Sequence, residues 1–107
     1  MEMQSNEVLD LVSRRFKILA DANRLRVLNS LRAGEKNVTG IMEETGLKQA
    51  NISKILGIFS QAGIVEKRKE GNNAYYRILD ESIFALCDLV CSSIEHQVQQ
   101  LSERLSR

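Results

Sequence analysis

Cys87 and Cys91 are the only two cysteines of the chain, and they stand four residues apart in CDLVC. On a helix this spacing places the two thiols on neighbouring turns, with Cβ atoms roughly 5–6 Å apart. Thiolates bind soft metal ions and thiols can be oxidised, so the pair could serve as a sensing site for a metal, a metalloid or an oxidant. The alternative is that both side chains only pack, because free cysteine is among the most buried residue types.

Neither sensing chemistry is complete at this pair alone. Two sulfur ligands leave a metal ion under-coordinated unless a second subunit supplies more, and Asp88, Glu95 and His96 are the nearby candidates. An intrahelical disulfide needs Cβ atoms about 3.5–4.5 Å apart, so oxidation would have to kink the helix or link two subunits. Among the sensing modes, thiol or redox sensing is slightly preferred over binding of a soft metal or metalloid ion. The sequence establishes no cofactor, and such an ion at Cys87 and Cys91 is the one that it leaves open.

A second set of polar residues lies on a stretch that could read DNA. In TGLKQANISKILGIF, the apolar residues from Ile52 to Phe59 recur at helical spacing and are expected to face inward. The residues left outside are expected to contact DNA, and they are Lys48, Gln49, Asn51, Ser53 and Lys54. Gln and Asn can pair bidentately with adenine, and Lys meets phosphate or guanine. No acidic residue stands between Lys48 and Val65, so the start of this helix favours an anion.

A β-hairpin is expected directly after this helix. IVEKRKEG and NNAYYRIL are rich in Val, Ile and Tyr, and Gly71 stands between them with two asparagines. We expect one of Tyr75 and Tyr76 to lie in the core and the other on the outer side of the hairpin. The basic residues of the hairpin are predicted to hold the phosphate backbone, and they are Lys67, Arg68, Lys69 and Arg77.

The elements that position these residues follow from the hydrophobic spacing. Helices are predicted at about Asn6 to Leu19, Asn23 to Arg32, Val38 to Thr45, Gln49 to Ala62 and Glu81 to Leu105. The third and fourth helices are separated by a turn at Gly46, which is the order of a helix-turn-helix.

The second helix is predicted to be a short scaffold element. Asp21 or Asn23 can cap its N-terminus, and its buried stripe is expected to consist of Leu25, Leu28 and Leu31.

The last helix carries an apolar seam that a monomer of this size cannot cover. Its members recur at nearly heptad spacing, and they are Ile83, Cys87, Val90, Ile94, Val98, Leu101 and Leu105. Because such a stripe would leave a large apolar surface in water, we expect a homodimer in which this helix packs on its symmetry mate.

Length and composition suit one small globular domain. Its 107 residues with 43% hydrophobic content suit a single domain over residues 1–107. The net charge of +1 conceals a segment 48–77 with six basic and two acidic residues, which suits a polyanion. We expect a cytoplasmic protein, since no apolar run spans a bilayer and MEMQSNEVLD is not a signal peptide.

The strings FKILADANRLRVLNSLRAGE and NISKILGIFSQAGIVEKRKEGNNAYYRI resemble the arsenic-repressor (ArsR/SmtB) family of transcriptional repressors. The resemblance covers about Phe16 to Ile78. It implies a mainly α winged helix-turn-helix with a β-hairpin wing (α+β), and a homodimer that binds double-stranded operator DNA. It also implies release from DNA when a metal ion, metalloid or oxidant binds, and it matches Gln49, Asn51, Ser53 and Lys54 to positions that contact DNA.

The chain departs from the family at two metal sites. Many metal-sensing members carry Cys-x-Cys in the third helix, where this chain has Asn37 and Thr39. Members that bind zinc through the last helix use acidic and histidine ligands where this chain has Ile83, Ile94 and Gln97. The cysteine pair is therefore the remaining candidate for sensing.

Two other classes of function compete with a DNA-binding repressor. A protein-interaction module with the same fold would show no salt-dependent duplex binding, and the basic middle segment argues against it. An enzyme is disfavoured, because the sequence has no Ser/His/Asp set and no Gly-rich phosphate loop, and its single His96 has no adjacent nucleophile.

Overall fold

The structure, a computed structural model, describes residues 1–106, so Arg107 at the end of the predicted domain lies outside it. The described residues form five helices and three strands. These are α1 Asn6–Leu19, α2 Ala22–Ser30, β1 Lys36–Asn37, α3 Val38–Thr45, α4 Gln49–Gln61, β2 Val65–Glu70, β3 Asn73–Ile78 and α5 Ser82–Leu105. The predicted α+β architecture with a β-hairpin wing is confirmed.

The turn between α3 and α4 is built by two residues. Gly46 adopts a φ of 74°, which favours glycine, and its N–H donates to the Met42 carbonyl over 2.8 Å. The Thr45 hydroxyl donates to the Ile41 carbonyl at 2.7 Å and accepts the Leu47 N–H at 3.2 Å. These bonds satisfy backbone groups at the end of α3 and set the direction in which α4 starts.

The core lies between α2, α3, α4 and the base of the sheet. The predicted inner face of α4 is confirmed, because Ile52, Ile55, Leu56 and Phe59 are each at most 3% exposed. The largest fully buried side chains include Phe59, Leu28, Ile41 and Ile64. Burying each such side chain contributes roughly 1.5–3 kcal/mol, so the rotation of α4 about its axis is strongly determined.

The predicted stripe of α2 was wrong at one position. Leu28 and Leu31 are buried as expected, but Leu25 is 40% exposed and Val27 is fully buried instead. The helix packs on α3 and α4 through its Val27 side, which turns Leu25 toward α1 and α5. Asp21 is the N-cap, and its carboxylate accepts the Arg24 N–H at 3.0 Å.

The hairpin of β2 and β3 has the predicted position, but its loop has two residues, because Asn73, which was expected between the strands, belongs to β3. Glu70 pairs with Asn73, so Gly71 and Asn72 form the loop, and Gly71 alone of the two takes a positive φ, of 61°. A glycine with positive φ at the first loop position is typical of a type II′ hairpin turn.

The third strand, β1, was not predicted. It pairs with β3 through Lys36 opposite Tyr76 and Asn37 opposite Tyr75, which makes the sheet order β1-β3-β2. Two residues are too few to show an alternating pattern, so only the fold reveals this strand. It anchors the wing to the connection between α2 and α3.

Helix α5 extends past the rest of the described chain. Ile83 and Phe84 in its first turn are buried, whereas every residue from Cys91 to Ser106 is exposed. The predicted seam is visible as Val90, Ile94, Val98 and Leu101, which are 51–61% exposed. Within residues 1–106, none of the helices has the length and hydropathy of a membrane span.

Candidate nucleic-acid interface and cysteine pair

The first turn of α4 is open to an anion. Lys48 occupies the N-cap position without a side-chain capping bond, and the first turn contains no acidic residue. Its backbone N–H groups and the positive end of the helix dipole are therefore not neutralised by the chain itself. Lys48, Gln49, Ser53 and Lys54 are exposed and Asn51 is half-buried. The structure thus brings all five predicted residues to one helix end, on the side away from the core.

The wing presents two different faces. Side chains alternate along a strand, and directly paired residues share a face. Lys67 and Lys69 therefore leave the sheet on the same side as the buried Val65 and Ile78. Neither lysine forms an ion pair within residues 1–106. These two ammonium groups are available to phosphate.

The opposite face of the wing carries carboxylates beside its arginines. Arg77 pairs with Glu66 directly across the hairpin. Arg68 donates through Nη1 to Glu70 at 2.8 Å and through Nη2 to Glu35 at 2.5 Å. Hydrogen bonding from Arg68 lowers the pKa of the Glu35 carboxyl below its ordinary range. Both arginines predicted to hold phosphate therefore already have partners within the chain.

The two tyrosines of β3 divide as predicted. Tyr76 packs against the core, and Tyr75 lies on the arginine face. The guanidinium carbon of Arg68 stands 4.9 Å from the centroid of the Tyr75 ring, within the range of a cation–π contact.

The cysteines lie where α5 leaves the core. Cys87 is half-buried and Cys91 is exposed, and both are free thiols. They border an open apolar hollow of about 600 Å³ between α1, α2 and α5, with Phe16, Leu25 and Val90 among its other lining residues. The hollow is also lined by Val90 of the exposed seam of α5, so the cysteine pair lies beside the apolar stripe of that helix.

The environment of Cys91 disfavours the thiolate. Its Sγ donates to a carboxylate oxygen of Glu95 at 3.6 Å, and this hydrogen bond, with the negative charges of Glu95 and Asp88, raises the pKa of the thiol. A raised pKa leaves less thiolate at neutral pH, which slows attack on oxidants and binding of metals.

A metal ion lacks a complete ligand set in one subunit. No group of three or more His, Cys, Asp or Glu side chains within residues 1–106 is placed to hold an ion. Two thiols and one carboxylate on adjacent turns of a helix do not enclose a tetrahedral site. A metal or metalloid would therefore need donors from another copy of the chain.

The chain is similar to known bacterial regulators. Residues 21–67 match the family described as "Bacterial regulatory protein, arsR family". The chain is 33% identical over 85 residues to the uncharacterized HTH-type transcriptional regulator Rv0081 of Mycobacterium tuberculosis, covering 78% of this chain and 75% of that protein. The chain belongs to the arsR family. This arsR-family chain is also 40% identical over 83 residues to the HTH-type transcriptional regulator Rv0324 of Mycobacterium tuberculosis. The match covers 78% of this chain but only 37% of Rv0324, which is a longer protein.

Solved structures agree with the arsR-family assignment. The homodimeric winged helix-turn-helix DNA-binding domain Mb0332 from Mycobacterium bovis superposes with a TM-score of 0.75 at 35% identity, covering 94% of this chain and 95% of that one. The AntR antimony-specific transcriptional repressor superposes with a TM-score of 0.80 at 30% identity, covering 92% and 90%. The predicted winged helix-turn-helix fold is therefore confirmed for this arsR-family chain.

Two ion pairs beside the candidate sites of this arsR-family chain were missed from the sequence. Glu35 reaches Arg68, which is 33 residues away, and Arg32 pairs with Asp88, which is 56 residues away. The pairing of Glu66 with Arg77 differs from these two, because the register of a two-residue hairpin places the two residues opposite each other and the sequence could have indicated it. The other two depend on how whole elements pack.

Proposed function

We propose that the chain is a repressor that binds double-stranded operator DNA as a homodimer and leaves it when an inducer acts. In this proposal residues 1–107 work as one winged helix-turn-helix domain. The arsR-family membership and the similarity to AntR, which is named as a repressor, support this function. The chain's own contribution is the arrangement of charge and polar groups around α4.

The open first turn of α4 is the observation that carries the proposal. The four buried residues of α4 fix its rotation, so Gln49, Asn51, Ser53 and Lys54 must face away from the core. We assign base contacts to Gln49 and Asn51, since their amides can pair bidentately with adenine, and phosphate contacts to Ser53, Lys54 and Lys48. The wing would add phosphate contacts beside them.

The exposed seam of α5 supports the dimer. Val90, Ile94, Val98 and Leu101 present a continuous apolar stripe to solvent, which a monomer rarely does. The homodimeric structure of Mb0332 is consistent with a second copy covering this stripe. A symmetric pair would then hold two α4 helices for the two half-sites of an operator.

Binding to DNA is tested by neutralising Lys54. A duplex of about 30 base pairs, selected from a random pool on the wild-type protein, serves as the probe. Lys54→Gln should reduce the affinity. It should also make the negative slope of log K against log salt shallower by about 2 per dimer, because two phosphate contacts are lost. The matched control is Arg104→Gln on α5, which is also an exposed cation and should change neither quantity. Equal behaviour of the two variants would contradict the proposal.

We assign inducer sensing to Cys87 and Cys91, by thiol oxidation. Both cysteines lie on α5 at the border of the apolar hollow, next to the proposed dimer surface. This place supports a coupling between their oxidation and the dimer. The raised pKa of Cys91 implies a slow response that needs a strong oxidant or alkaline conditions.

The sensing mode is tested by titrating the duplex with reduced, peroxide-treated and Zn²⁺-loaded protein. Redox sensing predicts that peroxide alone weakens binding and that the Cys87→Ser, Cys91→Ser double variant does not respond. A response to Zn²⁺ that the double variant loses would instead indicate a metal-responsive repressor. If the double variant responds like the parent in every arm, the cysteines only pack.

A further inference from the structure

The outer face of the wing carries a chain of alternating charges. Glu66 pairs with Arg77, and Arg68 bridges Glu35 and Glu70. Arg77 also lowers the pKa of Glu35 through its positive charge, which indicates that the two pairs lie close together. This face holds three carboxylates and two guanidinium groups, so its net charge is negative.

The guanidinium of Arg68 has little left to offer a phosphate. Its Nε and Nη2 groups hold Glu35 in a two-point contact at 3.3 and 2.5 Å, and Nη1 holds Glu70 at 2.8 Å. One side of the planar group is covered by the Tyr75 ring at 4.9 Å. A DNA phosphate would have to displace a carboxylate that already makes the bidentate contact for which arginine is suited.

The contact with Glu35 spans the whole sheet. Arg68 lies on the edge strand β2, and Glu35 directly precedes β1 on the other edge, with β3 between them. The Arg68 side chain therefore crosses over Tyr75 of β3 to reach the connection that follows α2. It fastens the free arm of the hairpin to the body of the domain, beside the start of α3.

The other face of the wing has the opposite character. Lys67 and Lys69 are exposed, and neither has an ion-pair or hydrogen-bond partner among the described side chains. Two unpaired ammonium groups on adjacent same-face positions form a positive surface, whereas the arginine face has a negative net charge. Their three rotatable N–H donors suit point contacts with phosphate.

We infer that Arg68 is a positioning residue that holds the wing in place through Glu35 and Tyr75, and that the wing's phosphate contacts are made by Lys67 and Lys69. This inference rests on the proposed DNA-binding function and deepens it. It narrows the four basic residues of the wing to two that contact DNA, and it adds Glu35 and Tyr75 as residues on which the position of the wing depends.

Salt dependence of duplex binding separates contact from positioning. The slope of log K against log salt is negative, and each phosphate contact removed from a dimer makes it shallower by about 0.9. A substitution present in both subunits therefore makes it shallower by about 2. Lys67→Gln and Lys69→Gln should each show this loss. Arg68→Gln should leave the slope unchanged while the affinity falls at least about twofold, because the wing is no longer held.

Arg68→Lys is the sharpest variant. It keeps the positive charge, which suffices for a phosphate contact, but it loses the two-point contact with Glu35 and the planar stacking on Tyr75. The inference predicts that Arg68→Lys binds as weakly as Arg68→Gln, with the slope of the wild type. Amide hydrogen exchange in β2 should be faster in both Arg68 variants than in the wild type.

The opposite pattern would overturn the inference. It is wrong if Arg68→Gln makes the slope as shallow as Lys67→Gln does and Arg68→Lys restores both slope and affinity. Failure of the proposed function would look different: wild-type binding would show no salt dependence, and Lys54→Gln would match Arg104→Gln. The two outcomes are therefore distinguishable in one set of titrations.

Discussion

Arg32, two residues after the end of α2, donates through both Nη groups to the two carboxylate oxygens of Asp88 of α5, through Nη1 at 2.9 Å and through Nη2 in a second, shorter bond. The guanidinium carbon also stands 5.0 Å from the centroid of the Phe84 ring, one turn earlier on α5. This pair connects the scaffold to the helix that carries the cysteines and the seam. Both side chains are about half exposed, so solvent and salt screen the pair.

The pair predicts a pH dependence of stability. Hydrogen bonding from Arg32 lowers the pKa of Asp88 below its ordinary value of 3.8. A depressed carboxyl pKa contributes stability that is present above the unfolded-state pKa and is lost as the pH falls through the folded-state pKa. Chemical denaturation should therefore show wild type more stable than Asp88→Asn near pH 7, with the difference vanishing in strong acid. Asp10→Asn, at an exposed position of α1, should show no such difference, and a pH-independent gap for Asp88→Asn would contradict this linkage.

The seam of α5 predicts a dimer that one charge disrupts. Val98 is 61% exposed on the seam, and a buried carboxylate without a partner is costly. Val98→Glu should raise the dimer dissociation constant at least about tenfold in sedimentation equilibrium, which corresponds to about 1.4 kcal/mol. Gln99→Glu introduces the same charge about 100° around the helix and should leave the dimer intact. A monomeric wild type at micromolar concentration would contradict the assignment of the interface.

Gly57 predicts a gain in stability. It lies within α4, and a Cβ added there would meet no atom within 4 Å. Because glycine costs helix stability through backbone entropy, Gly57→Ala should raise the free energy of unfolding by about 0.5–1 kcal/mol. Gly46→Ala is the counterpart: its φ of 74° strains any side chain, so this variant should lose about 1 kcal/mol or more. Urea denaturation measures both, and an unchanged Gly57→Ala would show that another cost offsets the entropy gain.

We expect slow alkylation of the Cys91 thiol, because Glu95 raises its pKa. The hydrogen bond to Glu95 and its negative charge hold the pKa of Cys91 above the ordinary value of 9.0. Glu95→Gln removes that charge, so the pKa should fall and the thiolate fraction at pH 8 should rise. Iodoacetamide should then modify Cys91 faster, measured by mass spectrometry in a Cys87→Ser background. Glu103→Gln is the matched control two turns further along α5, and an equal acceleration there would indicate a general charge effect.

The fold was largely predictable because its signals are local. The bounds of α1 and α3 match the prediction, and the inner face of α4 is confirmed at all four predicted residues. In α4 the hydrophobic period, the glycine before the helix and the glycine after it all predict the same helix bounds. Leu25 was misassigned because α2 is short, and a nine-residue helix can bury either of two overlapping stripes depending on its neighbours.

The exposure of the candidate DNA-contacting residues could be predicted, but the partners of the wing residues could not. Lys48 to Lys54 follow from the period of α4 alone, since whatever is not buried must be exposed. The division of the wing into a lysine face and an arginine face needed the register of β2 against β3. The contact of Arg68 with Glu35 also needed β1, a strand of two residues that leaves no trace in the pattern of the sequence.

The exposed stretch from Cys91 to Ser106 ties helix formation to assembly. Helices in proteins owe most of their stability to the packing of an apolar face, and no other described part of the chain covers this stretch. Dilution of the protein should therefore melt these residues as the subunits separate, and the far-ultraviolet circular dichroism per residue should fall with concentration. Only the dimer would then present two α4 helices to an operator. Operator occupancy would therefore rise with the square of the chain concentration wherever monomers predominate.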